Sequence, residues 1–258
     1  MRNYWGLSDP ALRRRAEPSL GVFVIEGKLA LQAALSSRYP LISVLVLKRR
    51  LGALRGLPMP AGVPVYAVGE EVMRQVTGFD VHRGVLALAQ RRPEPALSGL
   101  LAGSRLVVVA EAVNDQENLG AIFRNSAAFG AGAVLLGPTC ADPLYRRSVR
   151  VSLGHVLRVP FARLVPWPAS LEVLEMHGYV LVALTPDVDA LAVQQAAAEL
   201  QASKVALAVG NEWAGLSQAV LARARPVRIP MASGVDSLNV AAATAVALHR
   251  FSGFGDLP

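Results

Sequence analysis

Apolar runs of four to seven residues alternate along the chain with segments of helical periodicity, a pattern that predicts an α/β protein. Within residues 1–92 the pattern predicts helices over Glu26–Ser37 and Glu70–Val76, and strands over Leu41–Leu47, Pro64–Val68 and Gly84–Gln90. This succession is typical of a small α/β sandwich.

A polar, proline-containing segment, Arg91–Pro95, separates this part from a second alternating pattern, and we place a domain boundary there. The near-continuous valine and leucine runs beyond it are typical of strands buried on both faces of a parallel sheet. The predicted strands are Arg105–Glu111, Ala133–Leu136, Val156–Pro160, Tyr179–Leu184, Val205–Val209 and Val227–Pro230, and the predicted helices are Leu119–Phe129, Pro168–His177, Leu191–Gln201 and Val240–Phe251. The sequence therefore predicts two α/β domains, residues 1–95 and residues 96–258.

The composition excludes several classes of protein. With 53% hydrophobic and 17% charged residues among 258, the chain is too apolar for intrinsic disorder. No apolar run approaches the ~20 residues of a membrane span. The single cysteine, Cys140, excludes an internal disulfide framework, and the four histidines show no metal-ligand spacing. Because the N-terminus also lacks the apolar core of a secretory signal, we expect a cytoplasmic protein with no metal site and no membrane partner.

Positive charge is concentrated in the first third of the chain. Residues 1–92 carry 14 lysines and arginines against 6 acidic residues, whereas residues 93–258 carry 12 against 13. Only Lys28, Lys48 and Lys204 are lysines, and arginine can grip a phosphate through two parallel hydrogen bonds or stack on a base. Codon bias is an alternative explanation for the arginine content but not for the segregation of charge. We therefore expect the N-terminal domain to bind a nucleic acid.

Three polar segments lie at the ends of predicted strands and helices. Val209–Ser217 (VGNEWAGLS) follows a buried strand, so its backbone could close on a ligand, but it is neither GxGxxG nor a P-loop. Asn118 suits the N-cap of a helix on which Arg124 has small neighbours that let a ligand approach its guanidinium. A surface salt bridge is the alternative role of this arginine. Ser237 and Asn239 begin the last helix, where capping alone would also explain them.

Taken in order, these segments resemble the three motifs of a known family. NDQENLGAIFRNSAAFGA, VGNEWAGLS and IPMASGVDSLNVAAATAVALHR are similar to the motifs of the SpoU/TrmH family of RNA ribose 2′-O-methyltransferases, in the SPOUT superfamily, over roughly residues 103–252. The resemblance implies a SPOUT-type α/β fold with a mostly parallel sheet and a deep C-terminal trefoil knot. The basic first third, which ends in VHRGVLALAQ with His82, resembles the smaller ribosomal-protein-like α/β domain that binds the RNA substrate in this family.

The family resemblance implies transfer of a methyl group from S-adenosylmethionine to a ribose 2′-hydroxyl. By motif position, the catalytic residues are Asn118, Arg124, Glu212, Ser237 and Asn239. The residues implied to line the cofactor are Thr185, Val209, Gly210, Asn211, Ile229, Pro230, Met231 and Leu238. A homodimer is expected because the family works as one. Two positions depart from the family pattern, since Trp213 stands where glycine is common and Ala241 where serine is frequent.

A short arginine-rich segment stands out in the otherwise acidic second domain. We expect Arg146, Arg147 and Arg150 to hold RNA phosphates near the methylated ribose, with Tyr145 available for stacking. A solvated face is the alternative interpretation. The long N-terminal domain resembles that of family members acting on rRNA more than the compact members acting on tRNA, and this resemblance implies an rRNA substrate. A non-catalytic RNA-binding or ribosome-assembly factor, a tRNA 2′-O-methyltransferase and a methyltransferase acting on a base or small molecule are the alternative functions.

Overall fold

A computed structural model describes residues 4–81 and 83–253, so His82 lies outside the described residues. The chain forms two compact units. The first comprises the chain up to Pro93 together with Pro143–Arg158, and the second comprises Glu94–Asp142 and the chain from Val159 onward. The break at Pro93 lies beside the boundary predicted at residue 95. The inclusion of Pro143–Arg158 in the first unit differs from the prediction, which assigned this segment to the second domain.

The elements are numbered in chain order. The strands are β1 Val22–Glu26, β2 Leu41–Leu47, β3 Val65–Val68, β4 Val85–Gln90, β5 Leu106–Ala110, β6 Ala133–Leu136, β7 Phe161–Arg163, β8 Tyr179–Leu184, β9 Leu191–Ala192, β10 Lys204–Val209 and β11 Arg225–Arg228. The α-helices are α1 Pro10–Ser19, α2 Lys28–Leu35, α3 Glu70–Thr77, α4 Leu97–Ala102, α5 Gln116–Ala128, α6 Arg146–Val151, α7 Glu172–Met176, α8 Val193–Glu199, α9 Gln218–Leu221 and α10 Val240–Phe251. Segments of 3₁₀ helix lie at Lys48–Leu54, His155–Leu157 and Ala169–Leu171.

The first unit contains a sheet in the order β1-β4-β2-β3, in which β4 is antiparallel to both β1 and β2, and β3 is parallel to β2. Every residue of β1 is buried, and the strand was missed because a helix was predicted from Glu26 onward. Gly27 explains the difference. Its φ of 97°, which favours glycine, ends the strand, and helix α2 begins at the next residue.

The second unit contains a sheet in the order β7-β6-β5-β10-β8-β11-β9, and all of its strand pairs are parallel in the described residues. Every residue of the central strand β5 is buried, as its unbroken apolar sequence predicts. In the register, Ala110 pairs with Val209 and Ala208 with Ala183, so the carboxyl ends of β5, β10 and β8 lie at one edge of the sheet. The prediction of an α/β fold with a mostly parallel sheet and a smaller N-terminal unit is confirmed. The trefoil knot stays a prediction.

One predicted strand was placed wrongly. Over the predicted strand Val156–Pro160 the chain instead forms the 3₁₀ segment His155–Leu157, and β7 begins only after Pro160. The turn is set by Gly154, whose φ is 84°. Pairing begins at this proline, whose carbonyl accepts a hydrogen bond from the Val134 amide at 3.0 Å.

The described residues contain neither a candidate membrane span nor a candidate metal site. None of their helices is both long and apolar enough to cross a membrane. Over residues 4–81 and 83–253, no group of three or more histidine, cysteine, aspartate or glutamate side chains could hold a metal ion.

Candidate active site

A cavity of about 510 Å³ lies in the second unit, where the chain leaves β8, β10 and β11. The carboxyl edge of a parallel sheet is where α/β proteins generally bind ligands, because loops and helix starts converge there. The residues predicted to line a cofactor that do line this cavity are Thr185, Val209, Gly210, Asn211, Ile229, Met231 and Leu238. Pro230, also predicted, lies between two of them in sequence but does not line the cavity.

The loop after β10 is closed tightly on itself. Asn211 and Gly215 exchange both backbone hydrogen bonds, at 3.1 and 2.9 Å, and the Asn211 side-chain Nδ2 donates to the carbonyl of Ala112 at 2.9 Å. A Cβ atom at Gly210 would lie 2.3 Å from the carbonyl carbon and oxygen of Gly215. Only glycine therefore fits at Gly210 with the loop in this conformation.

Three side chains from the three sequence motifs meet beside this loop. The Nδ2 of Asn239 donates to Oδ1 of Asn118 at 2.9 Å and to Oε1 of Glu212 at 3.3 Å. The Nδ2 of Asn118 donates to the same Glu212 oxygen. Asn118 lies 94 residues before Glu212 and 121 before Asn239, so only the fold brings them together. We call Asn118, Glu212 and Asn239 the polar cluster.

The two asparagines of the polar cluster relate differently to their helices. Asn239 is the N-cap of α10, and its Oδ1 accepts from the amides of Ala241 and Ala242. The prediction that Asn118 caps its helix is wrong. Asp115 caps α5, which begins at Gln116, and its carboxylate accepts from the amides of Glu117 and Asn118. The Asn118 side chain is thereby left to join the polar cluster.

The polar cluster adjoins the cavity. Glu212 and Ser237 line the cavity, and a small depression lined by Asn118 shares Gly210, Asn211 and Glu212 with it. A bound ligand in the cavity would thus lie next to a carboxylate and two amides, a set that can orient a sugar hydroxyl by hydrogen bonds.

The Arg124 side chain neither joins the polar cluster nor lines the cavity of its own chain. It is exposed on α5, six residues beyond Asn118 or about 9 Å along a helix axis, and does not line the cavity. Its side chain makes no hydrogen bond or ion pair with another described residue, which leaves its guanidinium accessible. The face of α5 that carries Asn125 packs on α10, where Nδ2 of Asn125 donates to the carbonyl of Ala241 at 2.8 Å.

The arginine-rich segment lies in the first unit and differs in part from expectation. The Tyr145 side chain is only 6% exposed, so it is not available for stacking. Arg146 lies 2.5 Å from the buried carboxylate of Glu26 and 4.4 Å from the ring centre of Phe79, and Arg150 lies 3.8 Å from the same carboxylate. Arg147 is exposed. Two of the three arginines therefore neutralise a buried acid inside the unit.

A supporting residue at the cavity escaped the sequence analysis. Glu111, buried at the end of β5, accepts from the indole N–H of Trp167 at 3.0 Å and from the Ser217 amide at 2.8 Å. It thereby holds the far end of the loop after β10. The sequence signal that could have identified Glu111 was an acidic residue at the end of an otherwise apolar strand. Nearby, burial raises the pKa of the Cys140 thiol, which donates to the carbonyl of Ala110 and stays protonated at neutral pH.

Comparison with known proteins agrees with these motifs. The model of the SpoU rRNA Methylase family matches residues 105–249, more than half of the chain. A second model, described as RNA 2′-O ribose methyltransferase substrate binding, matches residues 24–95.

Individual relatives cover most of the chain. An uncharacterised tRNA/rRNA methyltransferase of Mycobacterium bovis is 46% identical over 88% of this chain and 79% of its own length. The 23S rRNA guanosine 2′-O-methyltransferase RlmP of Bacillus subtilis is 28% identical over 93% of this chain and 92% of its own. The crystal structure of an AdoMet-bound rRNA methyltransferase from Sinorhizobium meliloti superposes with a TM-score of 0.78 at 25% identity, covering 98% of each chain. The chain therefore belongs to the SpoU rRNA methylase family of RNA methyltransferases.

Proposed function

We propose that this protein transfers a methyl group from S-adenosylmethionine to a ribose 2′-hydroxyl of structured RNA, and that the RNA is ribosomal rather than transfer RNA. The observation that carries the proposal is the polar cluster, in which Asn118, Glu212 and Asn239 meet beside a ligand-sized cavity. Family membership and the substrate-binding match at residues 24–95 support the same activity.

The cavity fits the cofactor. Its volume of about 510 Å³ lies within the roughly 300–1,000 Å³ of small-molecule sites. Gly210 lets the loop after β10 close on the backbone of Gly215, and both glycines line the cavity. The residues that would hold the cofactor are Thr185, Val209, Gly210, Asn211, Ile229, Met231 and Leu238. When bound, S-adenosylmethionine supplies an electrophilic sulfonium methyl group.

The protein's part in the reaction is to align and activate a weakly acidic hydroxyl. Alignment of the two reactants can lower such a barrier by about 7–11 kcal/mol. In this proposal the polar cluster orients the ribose, and Ser237 supports the loop between β11 and α10. Arg124 stabilises the developing alkoxide as a cation, because an arginine side chain keeps its positive charge in proteins and cannot serve as the base.

Arg124 does not line the cavity of its own chain. We propose that the protein works as a homodimer in the cytoplasm, and that the bound RNA or the second copy brings the reacting ribose to Arg124.

One edge of the first unit supports RNA binding. Glu26 of β1 pairs with Leu86 and Val46 of β2 with Val85, so the end of β1, the end of β2 and the start of β4 lie together. The exposed cations next to these strand ends that make no ion pair with another described residue are Lys28, Lys48, Arg50 and Arg83. An unpaired basic edge of this kind is suited to the phosphate backbone. Arg147 remains a further candidate.

Methyl transfer tests the proposal directly. Purified protein is incubated with methyl-labelled S-adenosylmethionine and either in vitro transcribed large-subunit rRNA or total tRNA. Label in rRNA at a ribose 2′-oxygen is the expected result, and its loss in Asn118→Ala would assign it to this site. Label in tRNA alone would show that the substrate is transfer RNA and not ribosomal RNA. RNA binding without any label would instead support a non-catalytic RNA-binding factor.

A further inference from the structure

Trp213 is the most exposed of the large apolar residues that the structure describes, with 95% of its surface open to solvent. An indole offers a large apolar area, so leaving it in water forgoes stabilisation that burial would bring. Burial against the other described residues covers only 5% of its surface. Tryptophan is enriched at binding interfaces, where its ring supplies a large contact area.

The indole is carried on a rigid turn. Oδ1 of Asn211 accepts from the amide of Trp213 at 2.8 Å and from that of Ala214 at 3.3 Å. The same asparagine exchanges two backbone hydrogen bonds with Gly215, which closes the turn on both sides of the tryptophan. A ring presented by a fixed backbone loses little entropy on binding, which favours its use as a contact.

The surroundings of Trp213 suit an uncharged flat ligand. Trp213 lines the cavity next to Glu212 of the polar cluster. Glu212 is the only ionisable side chain among the described residues that line this cavity, and it repels phosphate. RNA-binding proteins read unpaired bases by stacking them on aromatic rings, which needs no cation. Because Trp213 follows Glu212 directly in the turn, a ribose bound at the polar cluster would place its own base, or its neighbour's, close to this rim.

We propose that Trp213 forms a stacking site for a nucleobase of the RNA substrate, at or next to the nucleotide that is methylated. The inference rests on the proposed function and adds to it a contact that distinguishes an unpaired base from a base in a duplex. It assigns base recognition to the cavity rim and phosphate binding to the basic edge of the first unit.

Fluorescence tests the contact without turnover. In a Trp5→Phe background, Trp213 is the only fully exposed indole of the described residues, since Trp167 is partly buried. Quenching by iodide is measured with and without in vitro transcribed large-subunit rRNA. We expect the RNA to protect Trp213 from iodide. Protection that depends on protein concentration alone would show that a second copy covers the ring, and would overturn the proposal.

Steady-state kinetics test whether loss of the indole weakens the binding of rRNA. Trp213→Ala should raise the KM for rRNA about 5- to 100-fold, as expected for loss of one stacked base, and Trp213→Phe should recover most of the affinity. Trp5→Phe, at a tryptophan that is 55% exposed in the first unit, is the matched control and should leave KM unchanged. Calorimetric titration with S-adenosylmethionine alone should give the same Kd for Trp213→Ala and wild type.

Two results separate this inference from the function on which it rests. If wild type methylates rRNA and Trp213→Ala keeps its KM, the stacking site is wrong and the function stands. If Trp213→Ala weakens S-adenosylmethionine binding without RNA, the indole covers the cofactor and the proposal is overturned. If wild type methylates neither RNA, the proposed activity fails, and the iodide measurement still decides whether RNA contacts Trp213.

Discussion

Asn239 uses both ends of its side-chain amide. Its oxygen caps α10, and its nitrogen donates to Asn118 and Glu212 of the polar cluster. In the proposed function, stability and catalysis are therefore linked at Asn239, and substitutions that preserve only one end of the amide can separate them.

Replacement of Asn239 by aspartate or alanine should separate the two roles. Asn239→Asp keeps the capping oxygen but removes the donor and sets a second carboxylate against Glu212. Asn239→Ala removes both groups. We expect methyl transfer to be lost in both, while only the alanine variant loses about 1 kcal/mol of unfolding free energy in urea. Wild-type turnover in Asn239→Asp would contradict this role of the polar cluster.

The raised pKa of the single residue Cys140 predicts that the stability of the protein falls at alkaline pH. Burial raises the pKa of this thiol above its ordinary value of 9.0 in the folded protein. Its contribution to stability is therefore complete below that value and is lost as pH rises through the folded pKa. Between pH 9 and about pH 10, wild type should lose stability faster than Cys140→Ala, because tyrosine ionisation affects both proteins equally and only wild type has the thiol. Urea unfolding of wild type and Cys140→Ala at the two pH values measures the loss of stability. Equal losses in the two proteins would contradict the prediction.

At the scale of elements, the loops at the carboxyl edge of the parallel sheet build the cavity. At one end of the loop after β10, Asn211 and Gly215 exchange backbone hydrogen bonds. At the other end, the Glu111 carboxylate accepts a hydrogen bond from the Ser217 amide. These contacts hold the loop in one conformation before any ligand binds. Preorganisation of this kind lowers the cost of binding.

Gly210→Ala should show how closely the cofactor depends on that loop. The new methyl group would lie 2.3 Å from backbone atoms of Gly215, so the loop must move. We expect at least roughly tenfold weaker S-adenosylmethionine binding by calorimetry, equivalent to about 1.4 kcal/mol. Gly103→Ala is the matched control, because a Cβ there meets nothing within 4 Å. Equal affinity in the two variants would rule out a cofactor held by this loop.

At the scale of the whole molecule, a segment distant in sequence completes the first unit. Arg146 on α6 pairs with Glu26 at the end of β1, 120 residues earlier, and Arg150 approaches the same carboxylate. The pair is mostly buried, so removal of one member leaves a charge without compensation.

Glu26→Gln should therefore destabilise the protein by about 3–5 kcal/mol, in the range measured for broken buried pairs. Glu70→Gln, which breaks the exposed pair with Arg49, should cost at most about 1 kcal/mol. Chemical unfolding of both variants compares them. A similar, small cost in each would mean that this ion pair does not hold the segment in place.

Local pattern was sufficient for much of the fold and part of the site. The elements β2, β6, β8 and α10 have the predicted bounds, because hydrophobic periodicity reflects burial of nearby residues. The strand β1, which a glycine with positive φ ends, was not predicted, and the start of β7, which a proline precedes, was placed too early.

The sequence alone determined the α/β class, the succession of most elements and the three motifs, since each depends on residues that are close together along the chain. Only the tertiary structure decided which side chains meet. It joined Asn118, Glu212 and Asn239 across more than ninety residues, left Arg124 outside the cavity, and buried Tyr145. The physical reason is that hydrogen bonds and burial depend on distances in space, which strand order and register set and which spacing along the chain does not encode.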